Sequence, residues 1–276
     1  MTIKIEVEKL TDVKLPNKNL MSIDEDSLGN IYIFYKDEDQ YKIDHYLNIK
    51  NKNTYSFNMN DENIDFAQIV GDRILLVSAV NNEGKDNAFF FDKKACLQKT
   101  FNFGTGIEIC KVDKEDKIWV GYSDEGIFEP GSIGENGIVC FDCNGDVHFN
   151  GFDEFVLKND IPCIDHCNTI TIFENEIWLC YYSNNYPIVR LAAKNNKASL
   201  FGELDLDPVK CMAVGIKSIL IRTGKKTLSM NIDNGISKEV IFIDKKGRNI
   251  IFDKVFTSGN KLFGVTENNL YTTNIK

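Results

Sequence analysis

Short apolar runs of four to seven residues, separated by polar turns, recur along the whole chain. No stretch of ten or more residues repeats its apolar positions with a helical period of 3.6. That pattern predicts strands throughout and argues against helical repeats. One unit returns again and again: an apolar strand, a turn built on Gly, Asp, Asn or Glu, then a second apolar strand. It is clear in Ser27-Leu28-Gly29-Asn30-Ile31-Tyr32-Ile33 and Val70-Gly71-Asp72-Arg73-Ile74-Leu75-Leu76. It returns in Asp113-Lys114-Glu115-Asp116-Lys117-Ile118-Trp119-Val120 and Phe173-Glu174-Asn175-Glu176-Ile177-Trp178-Leu179, and more weakly around Ile219 and Leu262.

The first apolar residue after each turn is Ile31, Ile74, Ile118, Ile177, Ile219 and Leu262, at intervals of 43, 44, 59, 42 and 43 residues. A period near 43 built only from strands is the length of one four-stranded propeller blade. The 59-residue interval carries an insertion, assigned to Ser123–Asn136 in the third unit. The expectation is therefore an all-β fold, a six-bladed β-propeller with four-stranded blades, as one domain over residues 1–276. Blade six runs out of chain before its fourth strand, and a spare strand, Ile3 to Leu10, lies at the other end. Pairing that N-terminal strand with the C-terminal blade closes the ring and removes both open edges. In blade five the third strand is either Leu228 to Ile232 or Val240 to Ile243.

Composition narrows the partners. Of 276 residues 43% are hydrophobic, enough for a large core, and the formal net charge is −9. Lysines are scattered, with no basic stripe to neutralise phosphates, so nucleic acid is not expected as a partner. The first residues alternate polar and apolar with no hydrophobic leader, and Ile74 to Val80 is too short to span a bilayer. Those features predict a cytoplasmic protein with no membrane partner, and hence reduced cysteines. Cys110, Cys140, Cys180 and Cys211 fall inside apolar strands, as small core hydrophobes do.

The third unit carries a recognisable stretch: Asp113-x-x-Asp116-Lys117-Ile118-Trp119-Val120-Gly121-Tyr122, followed by Gly137-Ile138-Val139-Cys140-Phe141-Asp142. It resembles blade repeats of the NHL, SMP-30/gluconolactonase and two-component-regulator propellers. With its insertion it looks most like a group of bacterial cytoplasmic propellers. The resemblance is sharp only in blades three and four. It implies architecture more than activity, since propellers host hydrolases, lyases, sensors and scaffolds. The SMP-30-like lactonases it brings in hold a divalent metal, such as Ca or Zn, in the central channel. Asn168 stands where a ligand asparagine would, and Asp165 and His166 are the further candidate metal ligands of that reading. The Glu-Gly-Pro opening motif of that family is absent.

In a propeller the b–c loops and the d-to-a connections leave on one face. Three segments should therefore meet there: Ser123–Asn136, Cys163–Asn168 and Tyr181–Pro187. They bring Asp124, Glu125, Phe128, Glu129, Asp165, His166, Tyr182 and Tyr186 as candidate ligand- or partner-binding residues. If the insertion stands clear, Ile127 and Phe128 are exposed beside its acids; if it folds down, Phe128 packs over the channel mouth. Cys163, Asp165, His166 and Cys167 also offer metal-ligand or Cys–His nucleophile chemistry, with Asp165 as the group that would orient His166. Trp119 and Trp178 sit at one repeat position and read as packing between blades. These features favour a non-catalytic binding or interaction protein for a protein or small-molecule ligand, without a cofactor. The alternative is a metal-dependent hydrolase or lactonase with its site in the channel.

Overall fold

The computed structural model describes residues 2–16, 19–59, 62–81, 84–192, 197–204 and 208–276. Six four-stranded antiparallel blades form a propeller. Blade one is Leu20–Glu25, Ile31–Asp37, Gln40–Leu47 and Asn51–Asn58. Blade two is Phe66–Val70, Arg73–Val77, Ala88–Phe91 and Leu97–Phe101. Blade three is Ile107–Val112, Ile118–Tyr122, Ile138–Phe141 and Val147–Phe149. Blade four is His166–Phe173, Glu176–Tyr182, Tyr186–Ala192 and Lys197–Leu204. Blade five is Val209–Val214, Ser218–Thr223, Thr227–Asn231 and Ser237–Ile243, so both candidate segments are strands, third and fourth in turn. Blade six contributes Lys254–Ser258, Lys261–Thr266 and Asn269–Asn274.

The N-terminus closes the ring with less of its length than expected. Only Glu8–Lys9 pairs with the last strand, with Glu8 opposite Thr272 and Lys9 opposite Tyr271. Residues Thr2–Glu6 instead lie parallel to Ser237–Ile243 as a fifth strand on blade five. Val7, at the crossing, is buried with Phe242, Phe252, Leu262 and Ile275. One segment thus stitches blades five and six together. The insertion is also split. A short helix, Asp124–Ile127, lies in the b–c loop of blade three, and a second helix, Phe152–Asn159, lies in the connection to blade four. At eight residues, the second helix is too short for a helical period to stand out in the sequence. Among the described residues no helix is long and apolar enough to cross a membrane.

A single device sets the register of five turns. Asp26, Asp92, Asp113, Asp142 and Asp244 each accept, on Oδ1, the backbone N–H groups two and four residues onward. The residue three onward takes a left-handed conformation: Gly29, Ala95, Asp116, Gly145 or Gly247. A carboxylate with fixed acceptor geometry therefore replaces the need for one turn sequence, since even Ala and Asp are held at positive φ there. Burial pushes the Asp26 carboxyl up. The hydrogen bonds from His45, Asn30 and Leu28 outweigh that and hold it at about 2.

The core runs between blades. Trp119 and Trp178 are both buried, in the clusters joining blades two to four and four to five respectively. Their indole nitrogens differ. Trp119 Nε1 donates to Asp113 Oδ2 at 3.0 Å, whereas Trp178 Nε1 is buried without a partner. Ile172, opposite Ile177, matches Val112, opposite Ile118, so Phe173 stands in blade four where the third blade has Asp113. Losing Trp119's bond to a charged acceptor should cost about 1.5–3 kcal/mol, so Trp119→Phe should destabilise clearly. Trp178→Phe removes an orphan donor and should cost measurably less. Urea unfolding that gives equal losses for the two variants would contradict this assignment.

Candidate ligand-binding site

Four inner strands enter their sheets through a bulge, and in the neighbouring blades three, four and five the bulge leaves polar residues out of the ladder. In blade three the register shifts between Ile107 and Ile109, freeing Glu108. In blade four it shifts between His166 and Thr169, freeing Cys167 and Asn168. In blade five it shifts between Val209 and Cys211, freeing Lys210. Bulges re-aim side chains, and these three lie at the same end of neighbouring strands. Together with the loops they wall a cavity of about 710 Å³, lined by Glu108, Asp124, Phe128, Asp165, His166, Asn168, Tyr182, Tyr186, Pro208, Val209 and Lys210. That volume lies in the ordinary range for small-molecule pockets.

The blade-three loop reaches the cavity because it is fastened to its own blade. Gly106 and Gly126 touch backbone to backbone: a Cβ on Gly106 would lie 2.4 Å from the Gly126 nitrogen. Phe128 N donates to Asp124 O, and Ser132 Oγ to Gly126 O. The two apolar residues of the loop then part company. Ile127 packs down at 9% exposure, unlike the loop that stands clear with both exposed, and Phe128 stays 66% exposed on the cavity wall, unlike the loop that packs it down. On the blade-four side, Tyr181 donates its hydroxyl to Pro162 O at 2.6 Å, and Asp165 N donates to Tyr182 O at 3.0 Å. Tyr182 and Tyr186 face each other across a hairpin with ring centroids 5.5 Å apart and planes tilted by 54°.

His166 sits between two carboxylates. Its Nδ1 lies 3.4 Å from Asp124 Oδ1 and its Nε2 3.9 Å from Glu108 Oε1. The nearby carboxylate of Glu108 raises its pKa above the usual imidazole value, burial opposes this, and Asp124 adds to the rise. Both ring nitrogens face acceptors, an arrangement suited to the imidazolium.

Of the residues expected at this face, Asp124, Phe128, Asp165, His166, Asn168, Tyr182 and Tyr186 line the cavity, whereas Glu125 and Glu129 are exposed outside it. Asp165 does not orient His166. Its Oδ1 accepts from the thiol of Cys163 at 3.8 Å, and the imidazole's partners are Asp124 and Glu108. Cys167 is fully buried, and burial pushes its thiol well up, so it forms no nucleophile pair with its exposed-side neighbour. Among the described residues no three His, Cys, Asp or Glu groups come together as a metal site. Sequence reasoning missed Glu108, Pro208, Val209 and Lys210. Topology places the first residues of inner strands on the face of the loops preceding them, but it does not single out which of them turn into the cavity.

The central channel is a different environment. Lys111 Nζ lies on it, 2.6 Å from Asp24 Oδ2 and 3.2 Å from the Thr257 carbonyl oxygen it donates to. A separate hollow of about 450 Å³ opens among the a–b turns, beside Glu25, Asp26, Asp113 and Glu174. Around the Lys111–Asp24 pair the space is about 40 Å³, room for a few waters at most. A divalent metal there would face a lysine ammonium, so the channel residues present do not fit the metal that the SMP-30 resemblance implies.

Comparisons with known proteins agree on architecture. The YxzG family profile matches residues 138–273, from the third strand of blade three to the last strand. No curated protein matches. Solved propellers are similar in fold at low identity. The PQQ-bound aldose sugar dehydrogenase of Streptomyces coelicolor is 11% identical with a TM-score of 0.59, with 97% of each chain covered. A catalytically inactive virginiamycin B lyase from Staphylococcus aureus, with quinupristin, is 13% identical with a TM-score of 0.56, covering 98% of this chain and 99% of that one. The extracellular domain of a hybrid two-component system from B. thetaiotaomicron is 12% identical with a TM-score of 0.55 over 92% of this chain. The present chain spans about a third of that domain's length, 34%. Binding domains and enzymes thus share this fold, and the likeness speaks for the fold alone.

The imidazole geometry gives a direct test. His166 should titrate above 6.5, the usual value for the free side chain, in an NMR pH series. Glu108→Gln should lower it most and Asp124→Asn less. The sign is fixed by linkage: a raised folded pKa means the pairing is complete below the unfolded value and lost as pH rises through the folded one. An unchanged titration in both variants would show that the carboxylates do not face the ring.

Proposed function

We propose that this propeller is a non-catalytic binding protein whose ligand or partner docks in the cavity at the loop-rich face of blades three, four and five. The observation that carries the reading is the contrast between two spaces. The channel, where a propeller enzyme of the lactonase kind would keep its metal, is filled by the Lys111–Asp24 pair. The cavity on the rim has aromatic walls, a polar edge and ample volume. Exposed Phe128 and Tyr182 on an otherwise polar rim are the kind of aromatic anchors on which binding energy concentrates. The cavity brings carboxylates and one imidazole, and the thiol of Cys167 is buried, so among the described lining residues there is no cysteine or serine to act as a nucleophile.

The test is a screen by ligand-observed NMR with small amines, alcohols, carboxylates and saccharides. Hits should be lost in Phe128→Ala/Tyr182→Ala, which changes exposed side chains and should keep the wild-type melting temperature. They should persist in Lys111→Met/Asp24→Asn, which alters only the channel. Hits that survive the first variant and vanish in the second would place the site in the channel and return the enzyme reading.

A further inference from the structure

The cavity's chemistry selects among ligands by charge. Three carboxylates line it, Glu108, Asp124 and Asp165, against one lysine, Lys210. The aromatic faces of Tyr182, Tyr186 and Phe128 complete the wall, and electron-rich rings attract cations held over them. The side-chain oxygen of Asn168 is buried beside them without a hydrogen-bond donor. Every one of these groups, apart from Lys210, offers negative potential or an acceptor, and an anion would meet three like charges. Between Glu108 and Asp124 the protein already places a group that becomes a cation on protonation, the His166 imidazole.

Resting on the reading of this cavity as the binding site, we infer that it takes an organic cation, an ammonium or guanidinium group carried on an apolar body. The charged head lies against the carboxylates and the tyrosine rings, and the apolar body lies along Phe128, Pro208 and Val209. An N–H on the head meets the orphan oxygen of Asn168. Where His166 is protonated in the free protein, the incoming charge takes over its role, and binding releases the imidazole proton to solvent. Affinity then rises with pH while His166 is protonated in the free protein, by up to about tenfold per pH unit for one proton released, and levels off above its pKa. The groups facing the ring are Glu108 from blade three, Asp124 from the inserted loop, and, across the cavity, Asp165, Tyr182, Tyr186 and Lys210.

Calorimetry with the full chain tests this using benzyltrimethylammonium and benzylamine, with benzyl alcohol and benzoate as neutral and anionic counterparts. The cations should bind at least about tenfold more tightly than the alcohol, one decade of affinity being a modest charge preference, and benzoate should bind weakest. Lys210→Met should strengthen cation binding by removing a like charge. His166→Gln should flatten the pH dependence while binding persists. N-acetyl-lysine amide and N-acetyl-arginine amide separate the sources. Binding as tight as that of benzyltrimethylammonium points to a side chain of a protein partner, and much weaker binding points to a free small amine. If benzoate binds best and Lys210→Met weakens it, the cation class is overturned while the cavity reading stands. If no probe binds, or binding survives Phe128→Ala/Tyr182→Ala, the cavity reading itself is overturned.

Discussion

Lys111 and Asp24 meet at 2.6 Å on the ring axis, from inner strands two blades apart, and Lys111 also holds the Thr257 carbonyl of blade six. Inner strands of a propeller converge on this axis with their polar backbone edges and alternate side chains pointing inward, so something must fill or wet it. Here a nearly dry charge pair does so, flanked by Gln68, which donates to the Cys110 carbonyl at 3.0 Å and accepts from the Tyr32 hydroxyl at 3.1 Å. Such a pair adds little net stability over an apolar filling, yet removing one partner is costly because the other is left buried and alone. The pair therefore locks three blades to a common centre and closes the channel at the same time.

With the axis occupied, the proposed binding site lies outward, where the inner strands begin. Bulges at those starts turn Glu108, Asn168 and Lys210 out of the ladder, and the long connections of blades three and four fold back over them. The scaffold under this rim is rigid: the Gly106–Gly126 approach fixes the loop, and the Tyr181 hydroxyl fixes the segment before blade four. A pocket built from strand starts and fastened loops is preorganised, and less ordering entropy opposes the ligand that enters it.

The fold was legible because one unit recurs at near-constant spacing and because aspartates mark its turns. Their carboxylates fix the hairpin register through two backbone amides, whatever residue stands at the left-handed position. The N-terminal strand was legible as a closing element but not in its division between two blades, since Ile3, Ile5 and Val7 alternate equally well for either pairing. The loops of the site could be placed on one face from topology alone. Glu108 and Lys210 could not be singled out, because a bulge leaves no mark in an alternating pattern: Ile107-Glu108-Ile109 reads as an ordinary half-exposed strand. The partner of His166 was hidden for the same reason, lying on another blade 42 residues away in the case of Asp124.

The central claim is that this molecule binds at the rim of blades three to five and not along its axis. Amide chemical-shift mapping during titration with benzyltrimethylammonium tests it most directly, since every described blade reports separately. Saturable shifts should group at Glu108, Asp124, Phe128, His166, Asn168, Tyr182 and Lys210, with the channel amides of Lys111, Thr171 and Thr257 unmoved. Shifts centred on Lys111, Thr171 and Thr257, with the rim silent, would contradict it.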